Sequence, residues 1–158
     1  MARSIDNTQD VIDSRDVISR VEELEVELED FHERGGFMNE FDDWIEQSRD
    51  NSEPVYAVFP DEGAEVIELI EELYALRALT EEAEHTADWT HGEVLIREDY
   101  FTDYIEELVK DCYEVPKDMD SDKWPWCHMA MDWEAAAEAA KVDYNEVTFD
   151  GEPYLIRA

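Results

Sequence analysis

Apolar positions recur at Val17, Val21, Leu24, Leu28 and Phe31, in steps of four, three, four and three. That stripe, about two heptads long, predicts an amphipathic helix. Asp13 or Ser14 is placed to cap it, and Gly35-Gly36 to stop it. The opposite face carries Glu22, Glu25, Glu29 and Glu33. The stripe is too short for a free-standing coiled coil. It must pack on the rest of the chain or on a second copy, so a homodimer through Val17, Val21, Leu24, Leu28 and Phe31 is one expectation.

A second amphipathic stretch places Phe37, Phe41, Trp44 and Ile45 on one face. The run from Asp50 to Pro54 is a break. Val55 to Phe59 suits a short strand or an extended crossing, closed by Pro60. A helix is expected from about Asp61 to Leu79. Its apolar stripe is Val66, Ile67, Ile70, Leu73, Tyr74 and Leu76, with Glu65, Glu68 and Glu72 on another face. Thr80 is read as the cap of a further short helix ending near Trp89 to Gly92.

The last third changes character. Val94-Leu95-Ile96 is short and apolar. A helix from Glu98 turns Tyr100, Phe101, Tyr104, Ile105, Leu108 and Cys112 inward. Pro116 to Pro125 is an irregular charged loop, and Asp132 caps a helix from Trp133 to Lys141. Val147-Thr148-Phe149 and Tyr154-Leu155-Ile156 flank Asp150-Gly151, which is a strong hairpin signal. Pro153 suggests an edge position for the return strand. The expected fold is α+β and mostly α-helical, with a helical N-terminal part and a C-terminal helix–helix–β-hairpin module. Residues 1–12 are read as a flexible leader, 13–92 as an acidic helical region and 93–158 as the α+β module.

Charge changes this picture most. The chain has 45 acidic and 12 basic residues, a formal net charge of −33 over 158 residues. Residues 1–50, 51–100 and 101–158 carry −11, −12 and −10, so no acidic tail accounts for it. An apolar fraction of 44% and an aromatic fraction of 11% are enough for a core, which separates this chain from acidic disordered ones. An acidic surface repels nucleic acids and anionic membranes, so neither is an expected partner. The N-terminus lacks a signal-peptide core and no apolar run spans a bilayer, so a cytoplasmic protein is expected, with Cys112 and Cys127 as reduced, buried thiols.

The motifs of common enzymes are missing. There is no Gly-rich phosphate loop and no Gly-x-Ser-x-Gly elbow. Cys112 and Cys127 have no second pair for a zinc ribbon, and adjacent Cys127-His128 suits one ion poorly. His32, His85, His91 and His128 share no helical spacing. With so many carboxylates, a hydrolase-like pair arises by chance. Asp118, Asp120 and Asp122 alternate without the glycine or distal glutamate of a calcium loop. A non-enzymatic protein without cofactor or metal is expected.

Regularly spaced acids can instead imitate a nucleic-acid backbone. B-DNA carries one charge per about 1.7 Å of axis. Residues three or four apart on a helix have Cβ atoms roughly 5–6 Å apart, comparable to successive phosphates on one strand. Glu22, Glu25, Glu29 and Glu33 form one such row, and Glu65, Glu68 and Glu72 a second that continues it if the helices align. A groove built to neutralise phosphates would accept them, in a salt-sensitive way. Partners of this kind are basic DNA-binding proteins: a restriction enzyme, a CRISPR effector or a nucleoid protein. The competing explanation is a dimeric helical adaptor from a saline cell, where high salt screens the repulsion. Four Lys against eight Arg fit that composition.

The C-terminal residues Leu95-Ile96-Arg97, Tyr100-Phe101, Trp124-Pro125, Asp132-Trp133, Ala135-Ala136-Ala137, Asp143-Tyr144, Phe149-Asp150-Gly151 and Arg157 resemble a module of small acidic phage and prophage proteins. So does the opening, Asp10-Val11-Ile12-Asp13-Ser14-Arg15-Asp16-Val17-Ile18. The ending from Asp132-Trp133 to Arg157 is also loosely similar to that of ArdA-type antirestriction proteins. This second resemblance implies an acidic DNA mimic of a mobile element, an elongated dimer that occupies the DNA groove of type I restriction–modification enzymes.

Overall fold

The computed structural model describes residues 5–113 and 122–158. Their order is β1 (Val11–Asp13), α1 (Ser14–Arg34), α2 (Phe41–Asp50), α3 (Glu53–Val58), α4 (Gly63–Ala83), β2 (Val94–Arg97), α5 (Glu98–Cys112), α6 (Trp133–Ala140), β3 (Tyr144–Phe149) and β4 (Glu152–Arg157). The strands form one antiparallel sheet in the order β1-β2-β4-β3. The protein is α+β and mostly helical.

Period-two alternation divides the sheet between two apolar layers. Ile12, Leu95, Val147, Phe149, Tyr154 and Ile156 face the core shared with α1 and α4. Ile96 and Leu155 face the other way, onto Phe101 and Ile105 of α5 and Ala137 of α6. Strands buried on both faces read as unbroken apolar runs, as in Val94-Leu95-Ile96. The first core is continuous across residue 92, because α1, α4 and the sheet all contribute to it.

The α1 stripe finds its partner inside the chain. Val17, Leu24 and Leu28 are fully buried, Phe31 nearly so, and Val21 packs against the same core. These side chains therefore offer no face to a second copy, contrary to the expected dimer seam. The Ser14 hydroxyl, at the start of α1, donates to the Trp89 carbonyl at 2.7 Å. At its other end, Phe31 meets Phe59 edge to face at 5.4 Å. Because α4 begins after residue 59 and ends before residue 89, α1 and α4 run antiparallel.

Several local expectations change. The segment read as a leader supplies β1, paired with β2, and buries Ile5 and Ile12. Three residues are too few to show periodicity, and their pairing partner lies more than 80 positions away. Val55 to Phe59 is neither strand nor crossing: Pro54 sits in the first turn of α3, where its missing N–H costs nothing. Thr80 starts no new helix, because its hydroxyl donates to the Leu76 carbonyl at 2.8 Å inside a continuous α4.

The hairpin forms at Asp150-Gly151, with φ of 48° and 83° at the two turn residues, the pattern of a type I′ turn. Its return strand β4, however, is interior, and β3 is the edge. Pro153 is tolerated because the β2–β4 pairing stops at Tyr154, so no ladder bond is lost. At the exposed edge, the Thr148 N–H donates to the Glu82 carboxylate at 2.9 Å. In α5, Phe101 and Ile105 are buried, but Leu108 and Cys112 are exposed. A 15-residue helix outruns the four- and six-residue strands beneath it. Cys127 is also exposed, so neither cysteine is the buried thiol expected. No helix among the described residues is long and apolar enough to cross a membrane.

Candidate partner-binding surface

The carboxylates singled out by spacing lie on α1 and α4, the two longest helices. Burial of the α1 stripe forces Glu22, Glu29 and Glu33 outward, and all three are exposed with no ion pair to a described base. At about 1.5 Å of rise per residue, Glu29 and Glu33 are about 6 Å apart along the axis. Asp13 fixes the start of the helix, since its carboxylate accepts the Arg15 N–H at 2.8 Å. Its side chain also holds the Arg15 guanidinium, and this contact lowers its pKa below the ordinary carboxylate value.

Glu25 differs from its row. Its Oε1 accepts from Arg77 Nη2 at 2.9 Å, and Arg77 Nη1 also donates to Asp42 at 3.1 Å. Glu72 is likewise engaged, with both oxygens held by Arg20 at 2.7 and 2.9 Å. The Arg20 pKa is raised, chiefly through these hydrogen bonds. Glu65 and Glu68 are exposed and make no ion pair to a described base. Two of the seven spaced acids are therefore partly neutralised by arginines of the facing helix.

The same contacts fix where the rows lie. Arg20 and Glu25 are five residues apart on α1, which sets them roughly 140° apart around its axis. Glu25 reaches Arg77 on the side of α2, whereas Arg20 reaches Glu72 on the other side. The α1 row and the α4 row thus flank the seam on opposite sides and do not continue one another. The acids that join Glu68 and Glu72 from outside α4 are Asp6 and Asp150. Glu68, Glu71 and Glu72 share a cleft of about 360 Å³ with Asp6 and Asp150.

Sequence spacing also missed Glu27. With Glu22 and Glu23 it lines a shallow concavity on the outward face of α1, beside the exposed Val26. Its only signal in the chain is its distance from the buried stripe. Bases near the helices are consumed structurally. Arg49 stacks 3.2 Å from the Tyr74 ring centroid and pairs with Glu71, and Arg34 holds Asp30 at 2.9 Å.

Among the described residues, no group of three or more His, Cys, Asp and Glu is placed to hold a metal ion. Asp122 and the Cys127-His128 pair are described, and Asp118 and Asp120 lie outside the described residues. Trp124 is 80% exposed. Trp133 is half-buried, with Lys110 Nζ 6.0 Å from its ring centroid. His32 is structural: its Nε2 lies 2.8 Å from the Asn39 carbonyl, among Phe37, Phe41 and Trp44. Comparisons of the chain with protein-family models, with curated proteins and with solved structures find no match.

Proposed function

We propose that this protein is a non-enzymatic DNA mimic of phage or mobile-element origin. It would occupy the DNA-binding groove of a host defence or DNA-handling protein, such as a restriction–modification enzyme or a CRISPR effector. The observation that carries this reading is the disposition of Glu22, Glu29 and Glu33. They are exposed and without a described basic partner, on a 21-residue helix whose opposite face is locked into the core. Carboxylates on such a frame need little ordering on contact, so more of the electrostatic attraction is kept as affinity. At about 1.5 Å per residue, α1 is about 30 Å long, close to one turn of duplex DNA.

The class of partner rests on the C-terminal resemblance to phage proteins and to ArdA-type antirestriction proteins. The physical part of the proposal is independent of that resemblance. A groove lined by Lys and Arg releases counterions when it meets phosphates, and it does the same when it meets fixed carboxylates. Binding is accordingly strong at low salt and weak at high salt.

The test is displacement of a labelled duplex at low salt from a type I restriction–modification enzyme, a CRISPR effector and a nucleoid protein. Loss of bound duplex from one of the three, reversed by added salt, is expected. If the duplex stays bound to all three, the mimicry reading fails.

A further inference from the structure

Twelve large hydrophobic side chains are exposed among the described residues, and six of them gather around α5 and α6. Leu108 and Tyr113 stand at the end of α5, Trp124, Met129 and Met131 in the segment leading into α6, and Val142 just beyond it. The two helices run antiparallel, with Lys110 Nζ 6.0 Å from the Trp133 ring centroid at one end and Lys141 Nζ 3.6 Å from the Glu98 carboxylate at the other. The end of α5 thus adjoins the start of α6. Met131, Ala135, Ala139 and Val142, all exposed, follow one another in steps of four, four and three along the outward side of α6. From their exposed fractions the six large side chains present roughly 700 Å², more than the ~300–600 Å² of the largest apolar patch on a typical monomer and close to the ~800 Å² that each partner gives to a standard interface.

Acids are absent where this surface is most exposed. Residues 123–131 contain no Asp or Glu, the longest such run in the chain at nine residues. The next longest, residues 73–80, supplies Leu73, Leu76 and Leu79 to the core. The run 123–131 keeps Trp124, Met129 and Met131 outside instead. Tryptophan and methionine in place of acids is the composition of interface centres. All four lysines of the chain lie between Lys110 and Lys141. Lys110 holds Glu106 at 2.8 Å and Lys141 holds Glu138 at 2.9 Å, so two of the acids beside the surface are compensated.

Charge then selects the occupant. A basic partner is drawn to the α1 carboxylates and finds few acids here. A nucleic acid or an anionic membrane is repelled by the molecule as a whole. Two copies of the chain, each at −33, meet with least repulsion where acids are absent. We propose that the α5–α6 surface joins two copies of this chain in a symmetric dimer. The sheet separates this surface from α1, which packs on its other face, so pairing leaves Glu22, Glu29 and Glu33 of each copy accessible. The proposal does not depend on the mimicry reading.

Sedimentation equilibrium of the full chain at about 0.1 M and about 1 M salt tests it. A monomer–dimer equilibrium is expected. Salt should tighten it, because screening shrinks the repulsion between copies while the apolar contact persists. Duplex displacement carries the opposite salt dependence. W124S/M131S, at exposed positions, should weaken the dimer by about tenfold or more with an unchanged circular dichroism spectrum. Val142→Asp, which brings a carboxylate into the contact from a position 82% exposed, should do the same and carries the test if the first variant does not fold. E22Q/E29Q/E33Q should leave the dimer at least as tight. A monomer at both salt concentrations, or a dimer that keeps its affinity in the folded variants, would overturn the proposal. The two readings fail separately. A dimer without duplex displacement removes only the mimicry, and duplex displacement by a monomer removes only the dimer.

Discussion

Arg20 holds Glu72 through two near-parallel hydrogen bonds, Nε to Oε1 at 2.7 Å and Nη2 to Oε2 at 2.9 Å. The pair ties α1 to α4 beside the buried stripe, with side chains only 14% and 18% exposed. Replacing Arg20 by alanine leaves a partly buried carboxylate unpaired and is expected to cost about 1–3 kcal/mol, by analogy with other charged hydrogen bonds. Arg20→Lys should cost less but still be measurable, since an ammonium cannot reproduce the fork. Urea unfolding of both variants checks this, and an unchanged midpoint for R20A would contradict it.

Tyr154 behaves differently, through pH. It is fully buried, and its hydroxyl donates to the Gln9 carbonyl at 2.6 Å. Burial is the main cause that raises its pKa from 10.0 to about 12. The folded state thus resists ionisation that the unfolded chain undergoes. Its contribution is fully present below pH 10 and is lost as pH rises toward 12. Stability should fall across that window, and Tyr154→Phe should make the fall shallower while costing about 1 kcal/mol at neutral pH for the lost hydrogen bond. Denaturation curves at several alkaline pH values measure both effects.

Asp13 gives the opposite sign. Its pKa lies below 3.8, chiefly through the hydrogen bond with Arg15. Its contribution is present above that value and is lost as pH falls through the depressed pKa. Asp13→Ala also removes the α1 cap and should destabilise by about 1 kcal/mol at neutral pH. Thermal melts at neutral pH and below the carboxylate range should show the variant's deficit shrinking in acid.

Salt separates mimicry from saline adaptation. With a net charge of −33 the native state repels itself, so added salt is expected to raise its melting temperature. The two apolar layers on either side of the sheet should nevertheless keep the chain folded at about 0.1 M salt, where screening acts only beyond about 10 Å. Circular dichroism at that salt concentration tests this. A chain that is unfolded there and folds only at molar salt would point to the saline explanation.

The elements that were legible in the chain are those whose signals are local. Val17 to Phe31 carries its own period, Asp132 accepts the Ala135 N–H at 3.0 Å as a cap, and Asp150-Gly151 closes its hairpin as its turn chemistry requires. What was not legible depends on distant partners. β1 exists because β2 lies beside it, and Pro153 sits in an interior strand because β2 ends opposite Tyr154. The candidate surface divides the same way. Outward exposure of Glu22, Glu29 and Glu33 follows from the stripe. The engagement of Glu25 and Glu72, and the separation of the two rows, follow from where Arg77 and Arg20 reach.

The most direct measurement compares the wild-type protein with E22Q/E29Q/E33Q in the duplex-displacement assay, using whichever DNA-binding protein the wild type clears. These positions are exposed and bond to no described base, so the variant should fold as well as the wild type. Mimicry by these carboxylates predicts displacement that weakens by about tenfold or more and depends less steeply on salt, as fewer counterions are released. Displacement by the folded triple variant with unchanged affinity and unchanged salt dependence would contradict it.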